Sequence, residues 1–373
     1  MKRARMIYAD SEKNADILYA SKFLAPDAFV FLEVGGRKVL LLSDLEIDRG
    51  RREAEVDEVA SYSELERAVR GKRKRAVTSG EVIARFLAMR EVEEVEVPWD
   101  FPLGLAAELR ECGVGIIGRK GAFWPEREIK REDEVKKIER ACRIAEIGMG
   151  RGMEVLKAAK VRRDGVLVWG SGVLTAERLR GEMEVALVRA GGEADGNTIV
   201  ACGEQACDPH ERGRGELRAG ELLILDIFPR DVGTKYFGDL TRTVVKGRAS
   251  EEARRLWEIC LRGQEMALSG VRVGVEGSKL QRGVQDFFAR EGYPKEIYGG
   301  RWRGFFHGLG HGLGLEVHEA PRVAGTKFRE GHVVTIEPGI YWPGTGGVRH
   351  EDVVWVQADG NCLLTKFPKV LEV

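Results

Sequence analysis

Four carboxylates interrupt strand-forming runs in the second half of this chain, and few folds tolerate that arrangement. The stretch LILDIFPRDVGTKYFGDLTRT (223–243) carries Asp226 at the end of an apolar run and Asp239 thirteen positions later, behind a glycine. TIEPG carries Glu337, and VRHED carries Glu351 fourteen positions on. Acids are poor strand formers. A buried carboxylate needs a cation or a shared proton, because desolvation and mutual repulsion otherwise neutralise it. Two divalent ions would offset four negative charges. For any single acid, an exposed strand end paired with Arg230, Lys235, Arg242 or Arg349 is the simpler reading. For the whole set, taken with His311, metal is favoured.

All six histidines follow position 209: His210, His307, His311, His318, His332 and His350. Three fall in FFHGLGHGLGLEVHEAP, where Gly308, Gly310, Gly312 and Gly314 allow close backbone approach. His332 and His350 read as structural, His307 as a support to its neighbours, and Tyr341 as packing.

The remainder of the chain sets the frame. Its 373 residues are 43% hydrophobic, enough for two ordinary cores. Sixty Lys and Arg offset sixty Asp and Glu, so no global field recruits nucleic acid or an acidic membrane. The basic start MKRAR lacks an apolar segment behind it, and no uncharged apolar run approaches membrane-spanning length, which predicts a soluble cytoplasmic protein. Cys112, Cys142, Cys202, Cys207, Cys260 and Cys362 show no CxxC spacing, as expected of reduced thiols. Three asparagines and five glutamines beside 32% charged residues fit a thermophile or a GC-rich coding bias equally well.

Up to about residue 126 the pattern alternates. AFVFLEV, Gly35-Gly36 and RKVLLLSD predict a hairpin; EVEEVEVP predicts a strand; PLGLAAELRECG predicts a helix with Pro102 at its start and Gly113 at its end. This is a small α/β domain, 1–126. A long helix is expected from about Arg131, with Val135, Ile138, Cys142, Ala145 and Met149 on one face and a solvated face at Lys136, Lys137, Glu139 and Arg140. A second helical region spans 175–192, before the short strand NTIVAC. Beyond residue 221, strands (ELLILDIF, KYFGDLTRTVV, HVVTIEPGIYW, VRHEDVVWV) interleave with two helices, giving an α+β domain over 127–373.

LDIFPRDVGTKYFGDLTRT, HGLGHGLGLEVHEAP, TIEPGIY and GGVRHED, in that order, resemble the motif series of the pita-bread metallopeptidases. That group contains Xaa-Pro dipeptidase, aminopeptidase P and methionine aminopeptidase. The resemblance implies an α+β fold with a C-terminal pita-bread catalytic domain behind a smaller N-terminal α/β domain. It implies two divalent metal ions: Asp226 chelating one, Asp239 and Glu351 bridging both, and His311 with Glu337 completing the second. The oxygen-rich set with one imidazole favours Mn or Co, with Fe or Zn as alternatives. The implied mechanism has a metal-bridging hydroxide as nucleophile, Glu337 as proton shuttle and His318 stabilising the oxyanion. His210 would stand at the mouth of the substrate site, with Arg322 and Arg349 holding a substrate carboxylate or ordering Glu337.

The implied substrate is a small peptide cut before proline, first of all an Xaa-Pro dipeptide, by a homodimer. Aminopeptidase P activity on longer peptides stays open, as does a non-catalytic pita-bread binding protein; metal-free creatinase-like chemistry is disfavoured by the full ligand set. The tip PRDVGTK is longer than is common in the group, and Asp208 before Pro209-His210 is unusual there, which bears on the substrate pocket more than on the metals.

Overall fold

The computed structural model describes residues 3–72, 74–194 and 196–373; Met1 and Lys2 of the basic start, Arg73 and Asp195 lie outside the described residues. The chain divides into two units, Met1–Arg127 and Glu128–Val373. No helix among the described residues is long and apolar enough to cross a membrane.

The first unit runs β1 (Arg3–Ala9), α1 (Ala15–Ser21), β2 (Phe29–Val34), β3 (Arg37–Leu42), α2 (Ile47–Glu53), β4 (Glu58–Ser61), α3 (Tyr62–Arg70), α4 (Ser79–Ala88), β5 (Glu94–Pro98), α5 (Leu103–Glu111) and β6 (Gly115–Arg119). Its sheet has the order β4-β3-β2-β1-β5-β6. The β2–β3 hairpin turns at Gly35 and Gly36, both at positive φ, as their pairing in the sequence predicts. Side chains alternate between two cores. Val30, Leu32, Val39 and Leu41 meet Phe86, Leu87 and Leu109 on one face. Phe29, Phe31, Leu40 and Leu42 meet Ile17, Phe23 and Trp124 on the other. A sheet covered on both faces explains why β2 and β3 read as continuous apolar runs.

The second unit begins with α6 (Glu132–Ala158), then β7 (Lys160–Val161), β8 (Leu167–Trp169), β9 (Gly172–Val173), α7 (Ala176–Arg189), β10 (Gly192–Glu193), β11 (Ile199–Cys202), β12 (Leu222–Ile227), β13 (Arg230–Asp231) and β14 (Leu240–Val245). There follow α8 (Glu251–Gly270), α9 (Gly277–Arg290), β15 (Glu296–Tyr298), β16 (Arg301–Arg303), β17 (Val333–Ile336), β18 (Gly339–Trp342), β19 (Gly346–Arg349), β20 (Asp352–Gln357) and β21 (Gly360–Leu363). The expected face of α6 is buried. Ala145, Met149, Met153 and Leu156 pack with Leu179, Met183 and Leu187 of α7 on the sheet β11-β12-β14. A second helix pair, α8 and α9, packs Leu256, Trp257, Val284 and Phe288 against Val334, Ile336, Val348 and Val354. Two helix-backed strand layers therefore face each other.

Two segments depart from the expected strands. HVVTIEPGIYW and VRHEDVVWV do not run unbroken: β17 ends at Ile336 and β18 starts at Gly339, while β19 ends at Arg349 and β20 starts at Asp352. Ile336 pairs with Asp352 and Gly339 with Arg349, so both strands break at one level, and Glu337 and Glu351 lie in the gap. The hairpin β15–β16 is also absent from the expectations above, although its Gly299-Gly300 turn carries the signal that marks β2–β3.

Candidate metal centre

Asp226 lies on β12 and Asp239 immediately precedes the neighbouring strand β14. Asp226 on β12 pairs with Thr241 on β14, and Asp239 stands two residues before Thr241. Side chains two apart share a sheet face, so both carboxylates project to the same side. Gly238 makes the approach possible: a Cβ there would lie 2.4 Å from the backbone of Ala141 in α6. The Gly238 amide donates to the Pro229 carbonyl at 3.0 Å, and the Phe237 amide to the Gly314 carbonyl at 2.8 Å, which ties this ribbon to the histidine-bearing loop.

That loop is laid against β17. The Thr335 amide donates to the His311 carbonyl at 2.8 Å, the Glu337 amide to the Leu309 carbonyl at 2.9 Å, and the His311 amide to Thr335 Oγ1 at 3.1 Å. A Cβ on Gly310 would fall 1.9 Å from the Thr335 carbonyl oxygen, so glycine is required at this contact. The result places His311 Nε2 3.2 Å from Glu337 Oε1 and 3.9 Å from Asp239 Oδ2. One ligand atom each from Asp239, His311 and Glu351 lies within 4.8 Å of the others. The Glu351 amide donates to the Thr241 carbonyl, and Thr241 Oγ1 donates to Glu351 Oε2 at 2.7 Å.

The electrostatics are those of a cluster short of positive charge. Burial, then repulsion from Glu351, Asp226 and Glu337, holds the Asp239 carboxyl well above its ordinary range. Burial, then Glu337 and Asp226, pushes Glu351 up to about 8. Burial would raise Glu337 as well, but the hydrogen bond and charge of His311 outweigh it and hold that carboxyl at about 2. The one buried arginine of the cluster, Arg349, places Nη2 2.7 Å from Asp226 Oδ2. Asp226 Oδ1 is buried without a hydrogen-bond partner. An orphaned carboxylate oxygen beside two strained acids and an imidazole fits divalent cations, and a hard oxygen-rich set with one nitrogen suits them.

The other predicted residues line the same cavity, which has a volume of 960 Å³: His210, His318, Arg322 and Arg349. The His318 ring stands edge-on to His311 with centroids 4.3 Å apart. Burial, then the nearby His311 and Arg322, lowers the pKa of His318, which favours the neutral ring. Arg242 and the pair Arg230 and Lys235 serve elsewhere, on Asp352 and Glu193. His332 and His350 are buried away from the cavity wall.

Tyr341 is more than packing. Arg349 Nη1 donates to Tyr341 Oη at 2.9 Å, and Tyr341 Oη lies 2.9 Å from His307 Nε2. His307 Nδ1 lies 2.8 Å from the Gly308 carbonyl and must donate to it, so Nε2 accepts the tyrosine proton. The polar chain Asp226, Arg349, Tyr341, His307 thus braces one side of the site. Thr241 and Thr335, which hold Glu351 and His311, were recoverable from the i, i+2 spacing in DLT and TIE.

Residues 136–358 match the model of metallopeptidase family M24. The chain belongs to that family. Its members' metal chemistry accords with the donor set just described. The chain is 34% identical over 248 residues to the Xaa-Pro dipeptidases of Pyrococcus horikoshii and Pyrococcus furiosus, covering 65% of this chain and 64% of each relative. The prolidase structure from Pyrococcus horikoshii superposes with a TM-score of 0.79 at 27% identity, over 99% of this chain and 95% of that one. The X-Pro aminopeptidase from Thermotoga maritima shares the fold, with a TM-score of 0.80 at 24% identity over 99% and 97%. The M24 architecture accordingly includes the pita-bread fold expected of the second unit.

Proposed function

We propose that this M24 chain is a divalent-metal-dependent hydrolase that cleaves the peptide bond before proline in Xaa-Pro dipeptides. The observation that supports the metal dependence is the break in the β17/β18 and β19/β20 ribbon, which leaves Glu337 beside His311 and Glu351 beside Asp239 and His311; the likeness to Xaa-Pro dipeptidases supports the proline specificity. These five side chains would hold two ions, Mn or Co before Fe or Zn. When bound, the ions acidify water at neutral pH and polarise the scissile carbonyl.

The chain's own groups do the rest. Glu337, ionised and partly open to the cavity, takes a proton from the attacking water and passes it to the prolyl nitrogen, which has no hydrogen of its own until the bond breaks. Neutral His318 donates its N–H to the oxyanion. Arg322 at the cavity wall meets the prolyl carboxylate with a planar fork, and His210 borders the entrance. Arg349 acts through Asp226 rather than on substrate.

A second reading, aminopeptidase P action on longer peptides, is favoured by the 960 Å³ cavity, near the top of the range of about 300–1,000 Å³ for small-ligand sites. Both readings are tested by metal content and turnover in Asp239→Ala and Glu351→Ala. Loss of both supports the assignment, and wild-type turnover in either variant refutes it.

A further inference from the structure

Two arginines without an ion-pair partner among the described residues line the cavity, and the reaction proposed above uses only one of them. Arg322 meets the prolyl carboxylate; Arg212 has no role. Arg212 stands two residues after His210, and its backbone is fixed: its carbonyl accepts from the Val200 amide at 2.9 Å and from the Arg180 guanidinium. Its own Nη2 donates to the Asn197 side-chain oxygen. A neutral amide oxygen engages one of five N–H donors and none of the charge.

Among the described residues no acid forms an ion pair with Arg212. Asp208 shares the wall but accepts from the His210 amide at 3.2 Å, and Glu211 accepts from the Gly213 amide at 3.2 Å. Asp226, Asp239, Glu337 and Glu351 form the metal cluster. A guanidinium held on a fixed backbone in a peptide-sized cavity is therefore an open anion subsite.

Its position selects the anion. Ile199 pairs with Asp226, so Asn197, two residues earlier on the antiparallel partner of β12, lies toward Phe228, and both line the cavity. With the scissile carbonyl at the proposed metal ligands and the prolyl carboxylate at Arg322, the residue before proline would extend away from Arg322, toward Asn197 and Phe228. The side chain of the residue before proline then runs along Asn197, Phe228 and Arg212. We propose that Arg212 reads a carboxylate on that side chain, making Glu-Pro and Asp-Pro peptides a preferred substrate class; the proposal rests on the Xaa-Pro reading.

The test compares Glu-Pro with its neutral isostere Gln-Pro. Wild-type kcat/KM should favour Glu-Pro about three- to tenfold at low salt, and the ratio should shrink as ionic strength rises. Arg212→Met should bring the ratio near one, and Arg212→Lys should keep part of it. Calorimetric binding of the two peptides gives the same ratio without turnover. A wild-type ratio near one, or a ratio that survives Arg212→Met, overturns the proposal. So does a ratio near one accompanied by an Arg212-dependent preference for Ala-Pro-Ala over Ala-Pro, which would assign the guanidinium to a chain terminus. Failure of wild-type protein to cleave Ala-Pro counts against the dipeptidase reading alone, and the Glu/Gln ratio is then read from binding.

Discussion

Arg349 and Asp226, 123 positions apart in the chain, form a buried ion pair 2.7 Å long, and the arginine's second amino group is held by Tyr341. The pair spans the two strand layers that carry the proposed ligands. Removing one member of such a pair leaves an uncompensated buried charge, at a cost of about 3–5 kcal/mol. Arg349→Met should therefore lower the unfolding free energy of the metal-free protein by roughly that amount. Tyr341→Phe should cost only about 1–2 kcal/mol, because one hydroxyl is lost and the ion pair stays. Urea denaturation of the three proteins checks the order; equal losses would mean that the tyrosine carries as much as the pair.

Glu351 predicts a pH dependence of opposite sense to that of ordinary surface carboxylates. Its folded-state pKa of about 8 exceeds the usual 4.5, so its contribution to stability is full below 4.5 and is lost as pH rises through 8. Metal-free Glu351→Gln removes that loss. Its Tm should exceed that of metal-free wild type at pH 8.5, and the gap should close by pH 5. Adding Mn should raise the wild-type Tm at pH 8.5 and leave the variant nearly unmoved. A variant less stable than wild type at both pH values would contradict the electrostatic account.

Gly238 offers a steric test. Its absent Cβ faces the Ala141 backbone at 2.4 Å, a contact that only a shift of α6 or of the strand entry could relieve. Overpacking of this kind costs about 1–3 kcal/mol, and here the displaced neighbour is Asp239. Gly238→Ala should lose stability and bind metal at least tenfold more weakly, a change of about 1.4 kcal/mol. Unchanged metal affinity would show that Asp239 is placed by other contacts.

Much of the site was legible in the sequence because strands impose a period of two. Asp226 and Asp239 stood out as charges in apolar runs, and their shared face follows once Asp226 is paired with Thr241. The break at Glu337-Pro338 carries a turn signal in EPG, but VRHED carries none. Its interruption arises only when β19 and β20 pair with different strands at the level of that turn. The partner of Arg349 was likewise hidden, since four carboxylates lay within plausible reach and only the tertiary register selects Asp226. The role of Tyr341 depends on a proton orientation set by the Gly308 carbonyl, a contact that no local pattern announces.

His332 is buried, and burial followed by the charges of Arg329 and Lys130 lowers its pKa from 6.5 to about 4. A depressed folded-state value stabilises the protein above 6.5, and that stability is lost as pH falls toward 4. Between pH 7 and pH 4, wild type should lose up to about 3 kcal/mol that His332→Leu does not lose. Parallel denaturation series at the two pH values measure this; a constant difference between the proteins would show that His332 titrates normally.

Metal-dependent cleavage before proline is decided by hydrolysis of three peptides with metal-free protein resupplied with Mn or Co. The set is Ala-Pro, Ala-Pro-Ala and Met-Ala-Ala. Ala-Pro should be cleaved only after metal is restored, and Met-Ala-Ala not at all. Cleavage of Met-Ala-Ala alone, or metal-independent turnover of Ala-Pro, would contradict the proposed function.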